Sequence, residues 1–381
     1  MNPENPMTPE TSVNPETSVN PRTSTSPRTS MSPRRAPTVS VIVPNHNYAR
    51  TLRHCLQAVV EQTYPHIEIV VVDDGSTDES PQIAGEFPVR LVRTANGGVS
   101  AARNTGVRHS TGDILFFLDS DIALRPDAVR IAVDVLEADP GVGFVCGIYD
   151  SVPLIDDGPV ERYKVLHGHY WRRRTAGSVK AAYFSIGAMP RSAYHRAGPL
   201  DESLRDTEDV EYGARLAAVS TVLLDPRIVG RHDDDDRLGV LLRKQYRRSV
   251  PLVALFADRG RDRPQLSDTA YRPTAVAGTS LALAGLAALP LWPVAGAAAV
   301  VAGLGAFAVE ERRLLRFLRS AAGPRALPLM AGLHVLVTAA TGVAALEGAA
   351  RWALSPAFRH RYRGAPSPVG STASAGTTGH A

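Results

Sequence analysis

Ile114-Leu115-Phe116-Phe117-Leu118-Asp119-Ser120-Asp121 is the most informative stretch of this chain. Five consecutive apolar residues predict a short strand buried on both faces. The run then stops at two carboxylates separated by one serine. These carboxylates mark the strand's carboxyl end, where open α/β sheets bind ligands. They repel each other unless a cation intervenes. A hard divalent ion, Mg2+ or Mn2+, suits oxygen ligands of this kind, and a substrate diphosphate would complete its shell. Alone, Asp-Ser-Asp after a strand reads as an Asx-type turn. It does not stand alone.

Upstream, Val39 to Val43 is a β-branched run that ends at Pro44. Leu52, Leu56, Val59 and Val60 then recur at helical spacing. Ile67 to Val72 predicts a second buried strand, closed by Asp73-Asp74-Gly75-Ser76-Thr77-Asp78. A short helix over 80–86, a third strand over 89–93, an Asn96-Gly97-Gly98 turn and a helix over 99–109 follow. This alternation calls for a parallel sheet with right-handed crossovers, an α/β domain of the nucleotide-binding type. Beyond the central strand, 127–138 predicts a helix, 143–148 a strand and 219–224 a late strand. Residues 150–182 are irregular, basic and rich in His and aromatics, and 193–204 read as a loop. A helix over 208–218 carries Glu208, Asp209 and Glu211 in its first turn.

The 381 residues suffice for two ordinary domains, and a net charge of +4 gives no footing for nucleic-acid binding. Cys55 and Cys146 are far apart and form no metal spacing, which predicts two buried thiols in a reducing compartment. No apolar h-region opens the chain, so no secretory leader is expected. Pro9, Pro15, Pro21, Pro27 and Pro33 each open a polar Pro-Glu/Arg-Thr-Ser-like unit. Such a composition cannot offset its ordering entropy and predicts a disordered tail.

Thr274 to Val309 contains no charged residue over 36 positions, more than the roughly 20 that one membrane crossing needs. Pro290-Leu291-Trp292-Pro293 would break a helix in its middle. Two short crossings, or one tilted crossing plus an interfacial part, both fit. A second apolar block runs from Ala326 to Leu346, with Arg312, Arg313, Arg316, Arg319 and Arg325 between the two. The competing reading, buried helices of a soluble domain, sits badly with 36 uncharged positions. Basic residues flank every apolar block, so two crossings or three each violate the positive-inside rule once. The expected organisation is therefore a disordered tail (1–37), an α/β domain (38–240) and a basic amphipathic linker (241–273). Membrane segments (274–309 and 326–347) around a basic loop (310–325), then a basic and finally disordered tail (348–381), complete it.

Four features lie in order on the α/β domain. They are Val41-Ile42-Val43-Pro44-Asn45-His46-Asn47, Val71-Val72-Asp73-Asp74-Gly75-Ser76-Thr77-Asp78, Gly97-Gly98-Val99-Ser100-Ala101-Ala102-Arg103-Asn104-Thr105-Gly106 leading into Leu118-Asp119-Ser120-Asp121, and Thr207-Glu208-Asp209-Val210-Glu211-Tyr212-Gly213. Each is weak alone. In this order and spacing, over about 39–235, they resemble a family 2 glycosyltransferase with the GT-A fold and a mainly parallel sheet.

The resemblance implies an inverting transfer of sugar from a nucleotide-diphosphate donor, assisted by Mn2+ or Mg2+. Pro44, His46, Asn47, Asp74, Arg103 and Asp119 would then line the donor, with His46 stacking on a base and Asp74 accepting from base and ribose, a pairing that suits uridine best. Asp121, with Asp119, would bind the metal. His232 completes the metal shell in some family members, although Asp233 to Asp236 beside it read equally as a solvated loop. Asp209 would be the general base, supported by Glu208, since direct displacement needs one base and no covalent nucleophile. His167, His169, Trp171 and Arg172 to Arg174 lie where the acceptor lobe is expected. Ala188-Met189-Pro190 follow Gly187 where relatives often carry a polar, acceptor-facing residue, which leaves the acceptor open. The Gln-x-x-Arg-Trp stretch of processive synthases is missing, Gln245-Tyr246-Arg247-Arg248 lacking the tryptophan, which favours single-sugar transfer over polymer synthesis. The apolar blocks suggest a lipid-linked or glycan acceptor at the cell membrane, with the catalytic domain facing the cytosol, where such donors are made. A non-catalytic nucleotide- or lipid-binding module is the alternative of another class.

Overall fold

Strands β1 (Val39–Asn45), β2 (Ile67–Asp74), β3 (Arg90–Thr94) and β4 (Ile114–Leu118) lie in the order β3-β2-β1-β4, all pairings parallel. They form one half of a mixed sheet in a computed structural model that describes residues 35–179, 181–204, 208–258 and 272–362. Helices α1 (Ala49–Val60), α2 (Ser80–Gly85) and α3 (Val99–Arg108) make the crossovers. Leu52, Cys55, Leu56 and Val59 give α1 its apolar face and bury it on the sheet. All five residues of β4 are buried. Strand alternation divides them between two cores, with Ile114, Phe116 and Leu118 under α1 and Leu115 and Phe117 on the opposite face.

The other half is built from β5 (Ile122–Leu124), β6 (Val142–Tyr149), β7 (Gly177–Val179), β8 (Ile186–Pro190) and β9 (Thr221–His232). The sheet continues β4-β8-β6-β9-β5, with β7 also on β9. Here β6 and β9 run parallel, while β8 runs against both β4 and β6, and β5 and β7 run against β9. Helices α4 (Ala128–Ala138), α5 (Pro159–Arg174), α6 (Arg191–Ala197) and α7 (Glu208–Ala217) connect and cover these strands. Two differ from the sequence expectation: α5 lies in the stretch read as irregular and α6 in one read as a loop. The buried face of α5 includes Glu161, Tyr163, His167 and Arg172, so no apolar period announces it.

Six helices follow: α8 (Leu238–Asp258), α9 (Pro273–Ala288), α10 (Pro293–Glu310), α11 (Arg312–Ala322), α12 (Leu327–Leu354) and α13 (Pro356–Tyr362). The uncharged block is thus a helical hairpin broken at the two prolines. Its helices approach closely because glycines face each other. A Cβ on Gly285 would stand 2.8 Å from the Gly296 carbonyl oxygen, and one on Gly278 would stand 2.8 Å from that of Gly303. Most of the expected basic loop is α11, whose Leu314 and Leu318 are buried with Tyr163 and Leu166 of α5 while its arginines stay outside. Half of the expected linker is α8, which packs on α12 through Gln245, whose amide donates to the Thr341 hydroxyl at 3.0 Å. α12 runs on to Leu354, beyond the expected end at 347. The expected N-terminal tail up to residue 34, the end of the linker (259–271) and the last stretch (363–381) lie outside the described residues.

Candidate active site

The strand order changes direction at β1, with β2 and β3 on one side and β4 on the other. A crevice between the carboxyl ends of β1 and β4 is where such sheets take ligands. Pro44 closes β1, and His46 and Asn47 follow. Asn47 adopts a φ of 60°, which asparagine tolerates better than most residues. Its Oδ1 accepts from the Thr77 and Asp78 amides at 2.8 and 3.3 Å, which pins the acidic loop after β2 to the end of β1. His46 Nδ1 donates to the Asp74 carbonyl at 2.8 Å.

Asp74 is buried, and both its oxygens are engaged. Oδ1 accepts from the Gly97 amide at 2.8 Å and Oδ2 from the Gly98 amide at 2.7 Å. The carboxylate thereby fixes the turn that opens α3, where Gly98 has a φ of 90° that favours glycine. In the neighbouring Asp73, by contrast, Oδ1 is buried without a hydrogen-bond partner.

Arg103 leaves α3 toward β4 and is only 4% exposed. Its guanidinium donates to Asp119 Oδ1 at 2.8 Å and to Glu208 Oε1 at 3.2 Å, and it stacks over the Phe184 ring at 5.1 Å. One planar fork thus ties the strand carrying Asp119 and Asp121 to the first turn of α7, where Asp209 follows Glu208. Expected to line the donor, Arg103 stands between two carboxylates in the fold.

Asp121 and His232 meet through strand register. Ile122 of β5 lies opposite His232 of β9, and the Asp233 amide donates to the Asp121 carbonyl at 3.0 Å. His232 Nε2 stands 3.7 Å from Asp121 Oδ2 and Nδ1 stands 3.4 Å from Asp234 Oδ2. Burial pulls the imidazole pKa down. The facing Tyr149, Asp121 and Asp234 outweigh it and hold that pKa well above the ordinary value. Tyr149 stacks on His232 with ring centres 4.3 Å apart, and Arg172 covers Tyr149 at 3.9 Å. Glu161, fully buried in the first turn of α5, accepts from the amides of Asp157 and Asp234 at 2.7 and 3.3 Å and so holds the loop after β9. Lys244 pairs with Asp235 at 2.6 Å. The acid run is thus a loop whose Asp233, Asp234 and Asp235 are part-buried beside His232 while Asp236 is exposed.

Asp121 Oδ1 is buried without a hydrogen-bond partner. An orphaned carboxylate oxygen beside an imidazole fits a hard divalent cation. Asp119 is turned to Arg103 instead, and among the described residues no three His, Cys, Asp or Glu side chains converge as a complete metal cage. A cation held here would need further ligands from substrate or solvent. Close by, the charges of Asp121 and Asp119 push the Tyr48 phenol above its usual range.

Residues 40–188 match the model of glycosyl transferase family 2. The glycosyltransferase AglE of Haloferax volcanii is 30% identical over 220 residues, 55% of this chain and 71% of AglE. The chain belongs to glycosyltransferase family 2. Glycosyltransferase GlyA of Streptococcus pneumoniae is 44% identical over 97 residues, a match covering 24% of this chain and 14% of GlyA. Among solved structures, the mannosyltransferase PcManGT of Pyrobaculum calidifontis, in complex with GDP-Man and Mn2+, superposes with a TM-score of 0.51 at 26% identity. That match covers 82% of this chain and 88% of PcManGT. The fold of this glycosyltransferase is GT-A.

Sequence motifs therefore located the strand ends of the glycosyltransferase, and the fold joins them. Pro44, His46, Asn47 and Asp74 sit on one side of the crevice, with Asp119, Asp121 and His232 on the other. Glu208 is reached through Arg103, and Asp209, whose carbonyl accepts from the Ala182 amide at 3.3 Å, is the next residue on α7. Tyr48, Tyr149, Glu161, Arg172 and Asp234 were not singled out for the donor or metal site from sequence. They lie in no motif, and only the β5–β9 pairing and the packing of α5 bring most of them to His232.

Proposed function

We propose that this glycosyltransferase moves one sugar from a nucleotide-diphosphate donor to a membrane-held acceptor with inversion at the anomeric carbon. The observation that carries the reading is the Arg103 bridge, which holds Asp119 and Glu208 at 2.8 and 3.2 Å and so sets the first turn of α7 against the metal-side strand. Asp209 takes the proton of the attacking acceptor hydroxyl as the new glycosidic bond forms and the bond to diphosphate breaks. Glu208, locked by Arg103, keeps that turn oriented. Pro44, His46, Asn47 and Asp74 bound the pocket for the nucleoside. Asp121 and His232 would hold Mn2+ or Mg2+, which would neutralise charge on the leaving diphosphate.

His46 and Asp74 favour uridine as the base, and the GDP-Man bound to PcManGT makes guanosine its competitor. Gln245 opens the stretch nearest to a Gln-x-x-Arg-Trp motif, and its side chain is engaged by Ser249 and Thr341 in helix packing, which supports single transfer over polymer synthesis. α10 and α12 are long and apolar enough to cross a membrane, with mean hydropathies of 1.6 and 1.8. They support a place at the cytoplasmic membrane, with a lipid-linked phosphate or glycan as acceptor and the site in the cytosol.

The test is nucleotide release by membranes carrying the full chain, measured for UDP-, GDP- and other nucleotide sugars with Mn2+, Mg2+ or EDTA. Metal-dependent release from one donor, abolished in Asp209→Asn, is the expected result. Unchanged release in that variant would remove Asp209 from the base role.

A further inference from the structure

The membrane-facing helices carry a constraint on how they can meet a bilayer. α8 and α12 run parallel, because Gln245 meets Thr341 while Val250 and Val253 flank Gly348 further along both helices. α9 runs the same way. Arg272, at its start, pairs with Glu310 at 2.6 Å, and Glu311 stands 3.8 Å from His334, whereas Ser280, two turns on, lies against Gly342. From the level of His334 to that of Gly348 is 14 residues of helix, about 21 Å, and α8 continues past that level to Asp258. Asp258 and Arg272 thus lie at opposite ends of the bundle. The sequence that joins them, 259–271, contains Arg259, Arg261, Asp262, Arg263 and Asp268. Were the bundle axis to stand along the membrane normal, covalent continuity would carry these five charges across the hydrocarbon, where charge is costly.

We infer that the helices of residues 238–362 enter the bilayer from one side only, lying along one leaflet with the α9–α10 hairpin sunk into it and no segment emerging on the far face. This rests on the membrane attachment proposed above. Three further observations agree with it. α10 is apolar all round and exposes Val294, Val301 and Leu304, as a helix immersed in lipid does. The hairpin turn exposes Leu291 at 72% and Trp292 at 64% and carries no free amide. Leu291 and Trp292 donate to the Ala288 carbonyl at 3.1 and 2.8 Å, and Pro290 and Pro293 have no N–H to satisfy. One-sided insertion also puts every basic flank on the same face, whereas any pair or triplet of crossings violates the positive-inside rule.

Single cysteines decide the matter, since the native Cys55 and Cys146 are fully buried and remain in place. Ser320→Cys marks α11, Ser355→Cys the far end of α12, and Leu291→Cys the hairpin turn. Each full-length variant is treated with a membrane-impermeant maleimide in sealed vesicles of known orientation, before and after detergent. One-sided insertion labels positions 320 and 355 from the same side and leaves 291 unlabelled until detergent is added. Labelling of 320 and 355 from opposite sides overturns the inference, as does labelling of 291 in membrane-bound protein. Recovery of the protein in the soluble fraction, with 291 reactive throughout, would instead sink the membrane attachment on which it rests.

Discussion

Arg103 is the residue on which the site geometry turns. A lysine there keeps the charge but cannot span two carboxylates with one planar group. Arg103→Lys is expected to lower kcat about 10-fold or more with little change in donor KM, because Asp119 and Glu208 lose their common partner. Arg103→Ala leaves two carboxylates facing without a cation and should cost roughly 3 kcal/mol of stability, read from denaturant midpoints. A variant retaining wild-type kcat would show that the bridge positions nothing. Asp121→Asn should lower transfer by about 100-fold or more, the scale of several kcal/mol of lost metal assistance, while the circular dichroism spectrum stays unchanged. Weakened Mn2+ binding by calorimetry should accompany it. Full retained activity in this variant would remove Asp121 from the metal site.

α5 is the element that the sequence left irregular, although His167, His169, Trp171 and Arg172 to Arg174 on it were expected near the acceptor. Glu161 at its start holds the loop after β9, and Tyr163, two residues on, puts its hydroxyl 2.8 Å from His334 Nδ1 of α12. α5 thus connects the catalytic crevice to the apolar helices. Glu161→Gln exchanges one accepting oxygen for a donor aimed at an amide. Its expected effect is weaker donor and Mn2+ binding, about 10-fold in each, with a smaller change in kcat, whereas an equal fall in kcat alone would point to general damage. In the α9–α10 hairpin, Gly285→Leu forces the backbones apart at a contact of 2.8 Å. The detergent-solubilised variant should melt several degrees lower, and an unchanged melting temperature would mean that the close approach contributes nothing.

For the whole molecule, chelation with EDTA should abolish nucleotide release and added Mn2+ should restore it, without a change in the amount of membrane-bound protein. Loss of metal that released the enzyme from membranes would tie attachment to the site instead. The α/β class, the GT-A resemblance and the ends of β1, β2 and β4 were legible because they are local. A run such as Ile114 to Leu118 can bury itself only as a strand, and the carboxylates that end it cannot follow it inside. The apolar character of the uncharged block was legible for the same reason, since it is a matter of composition alone. What the tertiary structure decided is everything that depends on two distant segments meeting. The pairing of Ile122 with His232 sets an imidazole beside Asp121 across 111 residues of chain. The reach of Arg103 to Glu208 spans a further 105. The parallel run of α8 and α12 is likewise set by packing, through Gln245 on Thr341 and Val250 and Val253 around Gly348. No local preference encodes these contacts, because each follows from strand register or helix packing, where burial of one face positions polar groups that had no reason of their own to be neighbours.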